Sequence, residues 1–505
     1  MNKSDEGKTI SYWEATEDLP EGQTRSVNTG YDVCIVGGGI AGLTTAYLLA
    51  RSGKTVCVID DGLIGGGETC RTTAHLSNAI DDRIYRIEKW HGKEKAKLAV
   101  QSHVRAIDEI EQIIRNEKID CDFTRLDGYL FDDGDGEDDL VEELAAAHRC
   151  GLSNVDWAQT ELFKEHKTGR CLRFPDQGQF HILKYLRGLA DSIEANGGTL
   201  VSGSTVTQWK GGDSPEVKLA DGNTITALSL VLATNYPLMS NMFPELMPYR
   251  TYVLAFRIPA NTIDAALFWD TQDPYHYLRT QPDGDSEVLI VGGEDHRTGQ
   301  ENDGEARFER LESWTRARFV DVGEVLYKWS GQFLETHDGL AFLGRYSGSE
   351  PNVYIITGDS GMGMTHGTIG AMINSDLILG KENAWADVYD PSRLATQSLK
   401  EAIPEIVAST TPYVDWVTPG DVNSEDEIGK GEGAIIRDGL SKIAVFRDEA
   451  GALSRLSAVC THLGCIVHFN STEKTWDCPC HGSRFATDGH VINGPALKPL
   501  EHVDT

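Results

Sequence analysis

Apolar positions along the chain switch between two rhythms, and the switches mark out its elements. Asp32-Val-Cys-Ile-Val36 is a short unbroken apolar run, as expected of a strand buried on both faces. After Gly37-Gly-Gly39-Ile40-Ala41-Gly42, residues Leu43, Ala46, Leu49 and Ala50 recur at helical spacing, and Arg51-Ser-Gly53 closes the helix. Residues 55–59 form the next apolar run and end at Asp60. Further on, the pattern predicts a helix over 81–117, a strand over 122–131, an acidic loop over 132–139 and a helix over 180–196. Strands are expected near 199–201, 228–233, 252–258, 275–279, 288–291 and 353–357, then a helix over 365–379. This alternation predicts a nucleotide-binding α/β core interleaved with an antiparallel sheet. From Ala434 the runs shorten to 434–437, 442–446 and 455–458, as in a small all-β unit.

Two boundaries follow from composition. Residues 1–30 are polar and read as an arm, and 383–417 as a connector with a helix over 394–406. Gly- and acid-rich residues from 418 onward open the last unit. The body between them, 31–382, divides into dinucleotide-binding parts (31–100, 167–245, 335–382) and sheet parts (101–166, 246–334).

Charge and cysteine usage narrow the class. The formal net charge of −32 argues against nucleic acid and anionic membrane as partners. No run of apolar residues is long enough to span a bilayer, and no secretion signal is read, so a cytoplasmic location is expected. Six cysteines are scattered and four fall in the last 50 residues, which points to one special site rather than a disulfide scaffold.

That site is Cys460-Thr-His462-Leu-Gly-Cys465 followed by Cys478-Pro-Cys480-His481-Gly-Ser483. A Rieske 2Fe–2S cluster needs two thiolates on one iron and two imidazoles on the other, and C-x-H…C-x2-H supplies them as Cys460, His462, Cys478 and His481. Structural zinc prefers C-x2–4-C pairs, which fits this string poorly. Residues 431–500 resemble the Rieske domain, including Gly494-Pro495 at the place of the loop that covers the cluster. The resemblance is to the disulfide-bearing form and implies a Cys465–Cys480 bond. It also implies that Ser483 donates a hydrogen bond to a cluster sulfur. Where high-potential relatives carry a tyrosine, this chain has Phe485, so a lower reduction potential is expected. The D-x2-H-x4-H spacing of a mononuclear iron site is missing, which argues against a Rieske oxygenase.

The glycine run has its own chemistry. Gly37 permits the tight turn, Gly39 lets backbone approach a pyrophosphate, and Gly42 lets helix and strand pack. The helix that opens at Ile40-Ala41 aims amides and a favourable dipole at the phosphates, and Asp60 can accept both ribose hydroxyls. Only one such fingerprint occurs, which weighs against an NAD(P)H-dependent reductase. Residues 31–60, with the late stretch Asp338-Gly-Leu-Ala-Phe-Leu-Gly344…Gly358-Asp-Ser-Gly361-Met-Gly363-Met364-Thr365-His366, resemble the FAD-dependent D-amino-acid oxidase, glycine oxidase and sarcosine oxidase superfamily.

That resemblance implies an FAD-binding Rossmann-like domain with a substrate sheet. It places the 361–365 loop on the flavin, Val206 at the adenine and Thr234 at the pyrophosphate. It implies that 69–75 runs beside the flavin, where Cys70 or His75 would be candidates for covalent attachment. A substrate carboxylate would fall to Arg257, Tyr277 or Arg279, with Tyr275 beside them. His337 and His366 lie near the flavin and are weak candidates for acid–base work. The expectation is a flavoenzyme, a dehydrogenase of an amine or amino-acid-like C–N bond, that passes electrons singly through the cluster to an external ferredoxin- or quinone-like acceptor. The alternatives are reverse flow from a ferredoxin-like donor, and an electron-transfer or redox-sensing protein without a small substrate.

Overall fold

The computed structural model describes residues 7–23, 30–132, 137–159, 170–236, 238, 246–348, 350–393 and 411–503. The strands Gly30–Val36 and Val56–Ile59 are buried almost throughout, as their apolar runs require, and lie at the centre of an eight-stranded sheet. Its main path runs Phe342–Arg345, Val353–Thr357, Thr224–Asn235, Gly30–Val36, Val56–Ile59, Thr199–Val201. The pairings among the last five of these are parallel, and Phe342–Arg345 is antiparallel. Helices Ile40–Arg51, Ile182–Ala195 and Gly363–Ile378 cover it. The crevice outside the C-terminal ends of its parallel strands lies beside the glycine loops.

A nine-stranded sheet faces that crevice, in the order Val325–Glu335, Met247–Pro259, Ser286–Arg297, His276–Asp283, Leu267–Asp270, Thr124–Phe131, Cys171–Gln179, His75–Leu76, with Asp156–Ala158 paired to Cys171–Gln179. The two parts of the body interleave more finely than the sequence pattern predicts. His75–Leu76 and Cys171–Gln179 belong to this sheet although they fall in segments assigned to the dinucleotide part. Conversely, helix Lys93–Glu117 packs on Gly363–Ile378. Cys171–Gln179 was not foreseen, because Pro175 and Asp176 interrupt its apolar pattern. The long helix splits at Gly92 into Ile84–His91 and Lys93–Glu117. Part of the acidic 132–139 segment belongs to the helix Glu137–Arg149.

The N-terminal arm is not free. Helix Tyr12–Thr16 is capped by Ser11 in a reciprocal box with Glu14. It buries Tyr12 and Trp13 in the main core, where the Trp13 indole donates to Thr72 O at 2.6 Å. The proposed helix over 394–406 lies outside the described residues.

The C-terminal unit holds a three-stranded sheet (Glu432–Asp438, Ser441–Arg447, Leu453–Ser457) and a four-stranded one (His468–Asn470, Thr475–Asp477, Arg484–Ala486, Val491–Asn493). It docks on the body through a buried ionic seam. Arg71 reaches Glu473 at 3.4 Å, Arg250 reaches Asp477 at 3.9 Å, and Arg484 lies 3.5 Å from Asp477 and 3.7 Å from Glu68. Glu473 also accepts from Thr9 N and Oγ1 and from Ser330 Oγ. The N-terminal arm thus closes the same seam. Burial alone would push the Glu473 carboxyl up, but Arg71, Arg250 and Arg484 hold it down at about 2. No helix among the described residues is long and apolar enough to cross a membrane.

Candidate functional site

One cavity of about 690 Å³ runs from the first glycine loop to the nine-stranded sheet. Gly37 starts its turn at φ +103°, and a Cβ there would come within 2.3 Å of Ala233 O, so the position accepts only glycine. A Cβ on Gly42 would meet Gly37 O at 1.9 Å. Gly42 therefore packs the helix against the loop and does not itself face the cavity. Gly37, Gly39, Ile40, Ala41 and Asp60 line it, and Asp60 is fixed by amides of Gly38 (2.6 Å) and Gly62 (2.9 Å). Val206, Thr234, Gly361, Gly363 and Met364 line it as well. Thr365 does not, since its hydroxyl bonds Met362 O and the His103 ring at 2.9 Å. Helix Gly363–Ile378 nonetheless points its amide-rich end into the cavity, where it favours negative charge.

The 69–75 segment lines the cavity through Thr69, Arg71, Thr72, Thr73 and His75. Cys70 turns away and donates to Gly66 O and Gly67 O, which removes it as a covalent attachment point. His75 and His366 both face the cavity, and burial pushes their rings down to about 3 and about 4, so both are neutral. His366 Nδ1 donates to Asp359 O at 2.8 Å, leaving Nε2 buried and without a partner. His337 is not among the lining residues.

Neither proposed arginine anchor reaches the cavity. Arg257 is half-exposed and lies 3.7 Å from Glu324. Arg279 is fully buried, donates to the carbonyls of Thr73, Ala74 and Phe180, and stacks over Trp13. Its guanidinium ties three backbone segments together. Tyr277 does line the cavity, hydrogen-bonded to Thr251 Oγ1 at 2.8 Å, beside Tyr275 and Trp269. Arg71 is the one Arg or Lys among the described lining residues, and it is engaged with Glu473.

Sequence reasoning missed the far wall. His490, Val491, Ile492, Asn493, Gly494, Ala496, Leu497 and Pro499 of the C-terminal unit line the same cavity as the glycine loops. Close by, Gln332 Nε2 donates to Gly482 O at 3.1 Å, and the Tyr236 ring stands edge-on to His481 at 6.3 Å. No local motif announces such a contact, because it joins residues more than 140 positions apart.

At the C-terminal unit the His462 and His481 rings lie 4.9 Å apart, and the Cys460 and Cys478 thiols hydrogen-bond each other. Cys465 and Cys480 are joined as a disulfide with Cα atoms 6.5 Å apart. Their sulfurs lie within 4.8 Å of that of Cys478 but offer no thiolate. Ser483 Oγ accepts from Ala496 N at 3.0 Å and bonds the Cys460 sulfur, while Phe485 is fully buried in the unit's core.

These features define a flavoprotein body carrying an iron–sulfur unit, and comparison with known proteins agrees. Residues 32–377 match the FAD dependent oxidoreductase family, and the chain belongs to it. Residues 418–504 match the Rieske [2Fe-2S] domain. The Rieske 2Fe-2S iron-sulfur protein YhfW of Bacillus subtilis (strain 168) is 30% identical over 512 residues, covering 98% of this chain and 97% of that one. Gamma-glutamylputrescine oxidoreductase of Escherichia coli (strain K12) is 28% identical over 69% of this chain and 84% of its own. The crystal structure of glycine oxidase from Geobacillus kaustophilus superposes with a TM-score of 0.61 at 18% identity, over 73% of this chain and all of that one, which supports the shared fold.

The chain is thus an FAD-dependent oxidoreductase with a Rieske domain, and its cofactors are FAD and a 2Fe–2S cluster. The residues present fit both groups. The cavity's glycine cradle has no room for Cβ atoms where backbone must approach a pyrophosphate, and its length reaches the aromatic wall. At the cluster loops two thiols and two imidazoles converge, and the buried His481 Nδ1 has no hydrogen-bond partner.

Proposed function

We propose that the chain is a dehydrogenase of a C–N bond that delivers electrons one at a time, through its own Rieske unit, to an external acceptor. The observation that carries this reading is the shared cavity: residues 490–499 of the C-terminal unit form one wall of the cavity that the Gly37–Gly42 loop opens. In the overall reaction the substrate loses one C–H and one N–H hydrogen, leaving an imine, two protons and two electrons. FAD supplies the two-electron acceptor for that step and the cluster a one-electron outlet.

In this reading Cys460, Cys478, His462 and His481 hold the cluster, with Ser483 donating to a sulfur. Gly37, Gly39, Ile40, Ala41, Asp60, Val206, Thr234, Gly361, Gly363 and Met364 hold FAD. Tyr236 lies between the cavity and His481. The neutral His366 lines the cavity, and its buried Nε2 has no hydrogen-bond partner, which makes it the candidate acceptor of a hydrogen bond or a proton. The buried seam around Glu473 fixes the cluster unit in place, so transfer within the chain needs no diffusive encounter. The cytoplasm is the proposed compartment, on the strength of the six scattered, buried cysteines outside the C-terminal unit, which form no disulfide.

Anaerobic turnover of candidate amines with a soluble one-electron acceptor tests the reading. Cys478→Ser is expected to abolish acceptor reduction while amines still bleach the flavin. Undiminished acceptor reduction in that variant would remove the cluster from the route.

A further inference from the structure

The sheet-facing end of the cavity is built for positive charge. Asp81 and Tyr275 both line it, the phenol close enough to stabilise the Asp81 carboxylate. That carboxylate lies against the late glycine loop, since a Cβ on Gly361 would come within 2.8 Å of Asp81 Oδ2. Trp269, Tyr275 and Tyr277 form an aromatic wall beside it, the two tyrosine rings 5.3 Å apart. Behind Tyr277, Thr251 bonds that phenol and lies near Asp295, whose Oδ1 is buried and has no hydrogen-bond partner. The arginines that offset these carboxylates are Arg83 for Asp81 and Arg307 for Asp295, and neither is among the described residues that line the cavity. The two arginines that would suit a substrate carboxylate are engaged elsewhere.

We propose that the substrate is a cationic amine with no carboxylate beside its reacting carbon, its ammonium held by Asp81 and Tyr275 against the aromatic wall. The proposal rests on the C–N dehydrogenase reading and names its substrate class. The physical grounds are direct. A carboxylate accepts charge-assisted hydrogen bonds from an ammonium, and aromatic faces attract a cation most strongly where water is excluded. An α-carboxylate placed here would meet Asp81 with no guanidinium among the described lining residues of this end to receive it, and like charges at close range cost several kcal/mol. Burial raises the Asp81 carboxyl from its ordinary value, so an arriving cation relieves a cost already present in the fold.

The test uses full-length holoprotein and two non-oxidisable probes of similar shape and opposite charge, benzyltrimethylammonium and benzoate. Each is titrated against the flavin absorbance spectrum. The ammonium is expected to bind at least about tenfold more tightly than benzoate, and Asp81→Asn to weaken it about tenfold or more. Benzoate binding as tightly as the ammonium would overturn the proposal. So would Asp81→Asn leaving the ammonium affinity within about twofold at unchanged flavin content. Should Asp81→Asn fail to retain flavin, Tyr275→Phe replaces it. A weaker loss for the ammonium with benzoate unchanged is then expected, and no change overturns the assignment. Tight ammonium binding in a protein that no amine bleaches would support this anchor while refuting the dehydrogenase reading.

Discussion

Two groups of buried carboxylates sit on either side of the cavity, and burial has opposite consequences for them. Glu473, in the seam between body and Rieske unit, faces Arg71, Arg250 and Arg484 and is held ionised at about 2. Behind the substrate end, Asp82 and Asp295 rise to about 7 through burial, with carboxylate neighbours adding to it, and Glu335 is also raised, by burial and neighbouring carboxylates. The difference is the partner. The seam carries its own counter-charges, so it is a finished structural joint. The arginines near the substrate end, Arg83, Arg86 and Arg307, are not among the described residues that line the cavity, as expected of a surface completed by a cationic ligand.

The largest effect that would break this contrast is at the seam. Arg71→Met leaves Glu473 buried with fewer counter-charges and is expected to cost about 3–5 kcal/mol, read by denaturant unfolding of the holoprotein. Combining it with Glu473→Gln should restore much of that loss. A single variant as stable as the parent would mean that the seam is not a joint.

The two groups also differ in the sign of their pH dependence. The Glu473 carboxyl is depressed, so its stabilisation is present above the unfolded value near 4.5 and is lost as pH falls toward about 2. The Asp295 carboxyl is raised from 3.8, so its neutral form is favoured in the fold and stability drops as pH rises through about 7. Asp295→Asn is expected to raise stability at mildly alkaline pH by roughly 1–2 kcal/mol and to leave it unchanged near pH 4. Equal effects at both pH values would contradict the assignment.

A smaller effect sharpens the cluster side. Phe485→Tyr adds a hydroxyl where the chain has none and should raise the cluster midpoint, while Ser483→Ala should lower it. One hydrogen bond of about 0.5–1.5 kcal/mol corresponds to roughly 20–60 mV for a one-electron couple. Redox titration followed by EPR reads both shifts, and a downward shift in Phe485→Tyr would refute the expected role. The smallest effect is at Arg257, whose replacement by alanine should change the apparent KM for an amine by less than about twofold. A large rise would restore it as a substrate contact.

Much of the fold was legible because its signals are local. Strand, glycine loop, helix and Asp60 are adjacent in sequence, and the cluster residues fall in two short strings. The substrate end was not legible, because it is assembled from Asp81, Thr251, Tyr275 and Asp295 on separate segments. The expectation of an arginine anchor failed for a physical reason: Arg279 has the right strand, yet its buried guanidinium ties the carbonyls of Thr73, Ala74 and Phe180. The polar N-terminal segment hid an anchor, because within it two aromatic residues, Tyr12 and Trp13, are buried in the core. The seam was invisible for the same reason as the substrate end, since Arg71 and Glu473 are 402 residues apart.

The central claim is that substrate electrons enter through the flavin and leave through the cluster of the same chain. Anaerobic stopped-flow mixing with a cationic amine, followed by flavin absorbance and freeze-quench EPR, tests it directly. Flavin bleaching followed by appearance of the reduced-cluster signal, at a rate independent of protein concentration, is the expected result. A bleached flavin beside a cluster that stays oxidised would contradict it.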